Sequence, residues 1–291
     1  MGFELKEKNI LIIGGDGTIG RSLFDTLNNN GANVWVTTRH PEKVSIRCVF
    51  LDLYEDIDIW EIPSVKFDIV FMCAAITSIN NCINEPQITR KVNVVNTVKL
   101  ATKLSNQGSF IIFLSTNAVF DGNVSYIKSN NLVNPQNEYG KQKAEAEDLL
   151  LSILKNKVAV VRLNKVITPD LSILINWIND LKDNKVIHPF YDMFMAPISL
   201  NYCVNVLCKV AETQISGIVQ VSALNDISYA VAAKYIANLI EADEKLIEPI
   251  SYKSIGIAFS SKHTTFDSNE LVDLGFVPPE SFDAFNEYFN L

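Results

Sequence analysis

The chain has 291 residues, 48% of them hydrophobic, a net charge of −8 and five cysteines. That length can bury a large core with a smaller companion lobe, and the acidic balance argues against nucleic acid as a partner. An odd cysteine count with no C-x-x-C pair fits reduced thiols in a cytoplasmic protein, three scattered histidines offer no metal-ligand spacing, and no run of about 18 uncharged apolar residues is present to span a membrane.

In chain order, Gly2 follows Met1, but Lys6 stands where a myristoylation signal needs Ser or Thr. The first predicted strand covers 9–13 (NILII) and runs straight into GGDGTIG. Glycines at a strand-to-helix turn let the backbone pass close to a pyrophosphate whose charge sits on the helix N-terminus, here that of a helix predicted over Thr18 to Asn29. Gly14, Gly17, Thr18, Ile19 and Gly20 are therefore candidate cofactor contacts. Read from Gly15 the string also satisfies G-x-G-x-x-G, so the spacing alone does not choose a family; a P-loop is excluded because no Gly-Lys-Ser/Thr follows. A second strand, 33–37, ends on Thr38 and Arg39, where an NAD site usually carries a carboxylate for the ribose 2′-hydroxyl. A guanidinium there can hold a 2′-phosphate in a bidentate fork, so NADP is favoured over NAD.

Further strands predicted over 47–51, 68–73, 109–114 and 158–162 alternate with helical patterns. The alternation implies an α/β fold, a parallel sheet wound on both faces of the Rossmann type, with ligands over the carboxyl ends of the strands. Cys73, in the fourth run, reads as core. The fifth run, FIIFLS, leads to Thr116, and NEYGKQKAEAEDLL follows a short way downstream. On a helix, the i, i+4 spacing of Tyr139 and Lys143 puts phenol and ammonium on one face, where the cation would favour the phenolate and make the phenol a usable proton donor. Thr116 supplies a hydroxyl to hold a reacting carbonyl. After Arg162 the pattern loosens. Residues 1–164 and 200–222 are expected to form the nucleotide-binding domain, and 165–199 with 223–291 a smaller α/β substrate lobe.

GGDGTIG, Asp52-Leu53, FDIVFMCAAITSI, KVNVVNTVKLA, FLSTNAVFDG, YGKQKAEAE and VVRLNKVI occur in the order seen in extended short-chain dehydrogenase/reductases. Within that superfamily the chain resembles the dTDP-4-dehydrorhamnose reductase family, with further similar stretches at DMFMAPISL, GIVQVSALNDIS and FDSNELVDLGF. The resemblance implies a catalytic triad of Thr116, Tyr139 and Lys143, with Tyr139 and Lys143 also touching the cofactor. It puts Asp52 and Leu53 beside the adenine, Ala74, Ala75 and Asn93 along the nicotinamide half, and Thr77 against the cofactor. It further implies NADPH-dependent reduction of a keto group on a nucleotide-activated sugar of the 4-keto-6-deoxy type. Thr116, Asn117, Asn164, Lys165, Tyr191, Asp192 and Phe194 would face that sugar nucleotide. A homodimer would form through helices from Pro86 to Asn106 and from about Asn137 to Lys155.

The chain departs from the family's STDYVFDG at Asn117 and Ala118. A 4,6-dehydratase would place an Asp-Glu pair directly after the Thr, and a GDP-fucose synthase type a Cys near the same loop; neither is present. A sugar-nucleotide 4-epimerase needs no further residue and stays open. So does a non-catalytic, NADP-binding regulatory subunit, against which retention of the three triad positions counts.

Overall fold

A computed structural model describes residues 4–56, 59–60, 62–257 and 259–290; Gly2, weighed above as a lipid acceptor, lies outside them. The elements run β1 Asn9–Ile13, α1 Thr18–Asn29, β2 Asn33–Thr38, β3 Cys48–Phe50, β4 Ile69–Met72, α2 Ile79–Asn84, α3 Pro86–Arg90, α4 Thr97–Asn106, β5 Phe110–Thr116, α5 Glu138–Leu154, β6 Val158–Leu163, β7 Val166–Ile167 and α6 Ser172–Lys182. They continue with β8 Phe194–Met195, β9 Ile198–Ser199, α7 Leu200–Thr213, β10 Gly217–Val221, β11 Ile227–Ser228, α8 Tyr229–Leu239, α9 Asn269–Asp273 and α10 Asp283–Tyr288.

The large sheet has the order β10-β6-β5-β4-β1-β2-β3. Its β2·β3, β1·β2, β1·β4 and β4·β5 pairings are parallel, with Ile10 level with Val34 on one side and Ile69 on the other. Continuous apolar runs suit such strands because helices cover both faces, and Ile10 to Ile13 are fully buried. The chain lays β1, β2 and β3 outward to one edge and returns to the far side of β1 for β4. That reversal opens a crevice at the carboxyl ends of β1 and β4, where open α/β sheets bind ligands.

By internal contacts the chain divides into two compact units. The first comprises Met1–Phe120, Val133–Arg162 and Val204–Val219, and the second Asp121–Leu132, Leu163–Cys203 and Gln220–Leu291. Beyond shifts of a few residues, these units differ from the expected domains in one respect: Asp121–Leu132, expected with the nucleotide domain, groups with the second unit. Its backbone explains the difference. The Gly122 carbonyl accepts from the amides of Lys262 and His263, the Ile127 amide donates to Thr265, and the buried Gln220 side chain donates to the Ile127 carbonyl at 2.8 Å. Within the second unit, Ile167, Leu174, Trp177 and Leu181 pack with Ala233, Ile236 and Phe285. Two-residue strands complete it, β8 antiparallel to β11 and β7 parallel to β9.

Candidate active site

The glycine turn, Thr116, Tyr139 and Lys143 all lie in the first unit. Tight packing dictates the glycine turn. Gly14 has φ +90°, and a Cβ there would stand 2.8 Å from the Ala74 nitrogen; one on Gly20 would stand 2.4 Å from the Gly14 carbonyl oxygen. Thr37 holds the turn from β2, its hydroxyl accepting from the Gly14 amide at 2.9 Å and its carbonyl from the Gly15 amide at 3.0 Å. Gly17 is different: a Cβ would meet nothing nearer than 3.5 Å, so the protein itself does not require its bareness. Gly17 caps α1 without a side chain, Thr18, Ile19 and Gly20 form the first turn, and no acidic residue stands there. A helix start of this kind presents amides and a partial positive charge, so an anion such as a pyrophosphate fits against Gly17.

A cavity of about 420 Å³ opens over this turn. Its walls include the expected Gly14, Gly17, Thr38, Arg39, Asp52, Leu53, Ala74, Ala75 and Thr77, while Thr18, Ile19, Gly20, Asn93, Tyr139 and Lys143 do not line it. Asp16, Tyr54, Ile76, Ser78 and Asn81, which sequence reasoning passed over, also line it, as does Cys73. Cys73 therefore stands just beyond β4 at the cavity rather than in the strand core, and burial pushes its thiol up to about 12, which keeps it a poor nucleophile. Arg39 is exposed and has no ion-pair or hydrogen-bond partner among the described residues. Asp16 receives the Thr38 hydroxyl at 2.6 Å and the Lys43 ammonium at 2.9 Å. Burial alone would raise its carboxyl, but those two bonds together with the charges of Lys43 and His40 outweigh it and hold the carboxyl below its ordinary value.

Between α3 and α4, Lys91–Asn96 forms a π-helical turn. Its Asn93 is buried and clasps the Ile76 backbone twice, accepting from the amide at 2.7 Å and donating to the carbonyl at 3.0 Å. Asn93 thus positions the cavity wall instead of forming it. The turn's Asn96 donates to the carbonyls of Leu53 and Glu55, both at 2.8 Å.

Tyr139 and Lys143 lie on α5, whose N-cap Asn137 accepts from the Gly140 amide at 2.8 Å. Gly140 is forced by close approach: a Cβ would come within 2.1 Å of the Ala118 carbonyl oxygen, so α5 is pressed against the loop after β5. That contact brings Tyr139 to Thr116. Burial pushes the phenol up to about 12, the neighbouring Cys82 adds to the rise, and a hydrogen bond with Thr116 opposes it. Thr116 also accepts from the Ala118 amide at 3.2 Å and lies 3.3 Å from Asn117 Oδ1. Lys143, 2% exposed, donates to the Leu114 carbonyl and sits 3.8 Å over the Phe113 ring. Burial pulls it down to about 7 against the opposing charge of Glu147. The expected lowering of the phenol by Lys143 is not what this structure shows: desolvation governs both groups, and the ammonium is engaged elsewhere. Glu147 is in turn buried, hydrogen-bonded by Ser115 and paired with Arg162 at 2.7 Å.

The remaining expected substrate residues belong to the second unit. Asn164 is a buried brace, donating to the Thr264 carbonyl and accepting from the Lys165 amide at 2.8 Å. Lys165 is partly buried, and burial lowers its ammonium's pKa. Tyr191 is 54% exposed. Asp192 accepts from the Ser251 hydroxyl at 2.5 Å and the Tyr252 amide at 2.9 Å, at the start of a turn over Tyr252–Ile255 that Ser251 caps. Phe194 lies in β8. Among the described residues no group of His, Cys, Asp and Glu could hold a metal ion, and no helix is long and apolar enough to cross a membrane.

Residues 8–288 match the family described as RmlD substrate binding domain. The dTDP-4-dehydrorhamnose reductase of Aggregatibacter actinomycetemcomitans is 34% identical over 146 residues, which are 50% of this chain and 47% of that protein. Methionine adenosyltransferase 2 subunit beta of Xenopus tropicalis is 28% identical over 145 residues, 50% of this chain and 43% of that protein. Each of these two matches thus spans less than half of the relative's own length. Among solved structures, dTDP-4-dehydrorhamnose reductase from Bacillus anthracis str. Ames in complex with NADP superposes with a TM-score of 0.85 at 20% identity, covering 98% of this chain and 99% of that one. At that identity the likeness speaks for the fold.

Proposed function

Because the chain belongs to the RmlD substrate binding domain family, we propose that it is a cytoplasmic, NADPH-dependent reductase of a keto group on a nucleotide-activated sugar, of the 4-keto-6-deoxy type. The observation that carries this reading is the link between the triad and the cavity. Lys143 and Cys73 are near enough to shift each other's titration, and Cys73 lines the cavity over the glycine turn. Gly14, Gly17 and the first turn of α1 would hold the pyrophosphate, Asp52 and Leu53 the adenine side, Arg39 a 2′-phosphate, and Ala74, Ala75 and Thr77 the nicotinamide side. The cofactor, when bound, supplies a hydride.

Tyr139 delivers its phenolic proton to the carbonyl oxygen. A pKa near 12 keeps that proton on the phenol throughout the neutral range, so the donor is present at every physiological pH. Thr116, already hydrogen-bonded to Tyr139, fixes the same oxygen. Lys143 would touch the cofactor, and Glu147 and Arg162 stand behind it as a buried counter-charge system. The exposed Ile88 of α3 and Ile153 of α5 support a homodimer through these helices.

Incubation with NADPH and 4-keto-6-deoxy sugar nucleotides tests the reaction type. Cofactor consumed in step with product supports the reductase; product without net cofactor loss identifies a 4-epimerase. A second reading, a nucleotide-binding regulatory subunit, draws on Asn117 and Ala118 beside Thr116 and on the similarity to the methionine adenosyltransferase subunit. No turnover across a broad panel, together with a shift in a partner enzyme's rate, would establish it instead.

A further inference from the structure

The end of β2 holds more charge than a single arginine. Asp16 sits inside the glycine turn and lines the same cavity as Arg39. Its two oxygens are divided between partners of unequal permanence. Oδ2 takes the hydroxyl of Thr38, which is itself buried and also accepts from the His40 amide at 3.0 Å, so the carboxylate is fixed in place. Oδ1 takes the ammonium of Lys43, which a short helical turn over Pro41–Lys43 carries back toward the glycine turn. The Lys43 side chain is half exposed and its stem is flexible, so this bond can be exchanged where the Thr38 bond cannot.

Resting on the dinucleotide reading above, we propose that Asp16 and Lys43 together read the adenosine 2′ position. A 2′-hydroxyl donates to Asp16, whose charge Lys43 continues to neutralise. A 2′-phosphate draws Lys43 away to join Arg39, and Asp16 is left as a like charge beside it. The pair therefore admits both forms of the cofactor and narrows the preference for NADPH that Arg39 alone would give. A carboxylate in the glycine turn does part of the work normally left to an acidic residue at the end of the second strand.

Calorimetric titration of the full chain with NADPH and with NADH reads this directly, without turnover. Asp16→Asn keeps an acceptor for Thr38 and frees Lys43, so NADPH should tighten by about 3- to 10-fold and NADH weaken by about 2- to 5-fold. Lys43→Gln should weaken NADPH by about 3- to 10-fold and change NADH by less than about 2-fold. An unchanged ratio of the two affinities in Asp16→Asn, or equal losses of both nucleotides in Lys43→Gln, overturns the role of the pair while leaving the dinucleotide site standing. Failure of the wild-type chain to bind either nucleotide overturns the dinucleotide reading itself, and this inference with it.

Discussion

Two groups of charges in the first unit obey different physics. Around α5, Lys143, Glu147 and Arg162 are almost wholly removed from water; at the end of β2, Asp16, Arg39 and Lys43 remain in contact with it. At Lys143 desolvation outweighs the attraction of neighbours, which is why it titrates near 7 despite Glu147. In the wet group screening leaves each contact worth about 0–1 kcal/mol, and its value lies in choosing between ligands. On the proposed function the dry charges surround the proton chemistry and the wet ones face the choice of cofactor.

The largest expected effect is on the dry side. Tyr139→Phe removes the proton donor and keeps the ring, so turnover should fall by roughly 10²–10⁴ with NADPH affinity held, as steady-state rates and a binding titration would show. Next comes Arg162→Met, which leaves the Glu147 carboxylate buried with Ser115 but without its cation. Breaking such a pair costs about 3–5 kcal/mol of stability, readable in urea unfolding; a loss below about 1 kcal/mol would mean that this region behaves like the wet one.

Lys143→Met has a smaller and less intuitive effect. The folded lysine titrates near 7 and the unfolded one near 10.5. Between those values the unfolded chain binds more protons, so stability rises with pH across that window, and the cost of the buried charge is fully present below about 7. Removing the ammonium should stabilise the chain at pH 6, on the order of 1–2 kcal/mol, with the gain shrinking toward pH 10. A variant less stable at pH 6 would break the comparison. The smallest effect belongs to the wet group: Arg39→Ala should weaken NADPH by about 10-fold and NADH by less than about 2-fold, and raising the salt should shrink the difference.

Much of the first unit could be read from sequence because its signals are local. The buried run NILII, the glycine turn and the helix Thr18–Asn29 stand where pattern alone puts them, since continuous apolar strands and turn glycines have few alternatives. Thr116 and Tyr139, 23 positions apart, were paired through a family motif, and the packing of Gly140 on Ala118 explains why they meet. What escaped was non-local. Asp16 and Lys43 are 27 positions apart in no shared motif, and the excursion Asp121–Leu132 is defined by hydrogen bonds to residues more than 90 positions downstream. In the second unit β7, β8, β9 and β11 are two residues long, too short for any periodicity to show. Asp192 is held by Ser251 and Tyr252, about 60 positions downstream, a pairing that no local pattern announces.

The π-helical turn at Lys91–Asn96 couples two things that the chain otherwise keeps apart. One extra residue in the helix turn lets Asn93 and Asn96 point to different loops, one clasping Ile76 and the other Leu53 and Glu55. Leu53 and Ile76 both line the same cavity, so the turn ties two of its walls to one piece of helix. Mechanically the turn is a common axle. A single-residue deletion there would restore ordinary helical phase and rotate one of the two asparagines off its loop, uncoupling those two walls without touching any residue that lines either Arg39 or the triad.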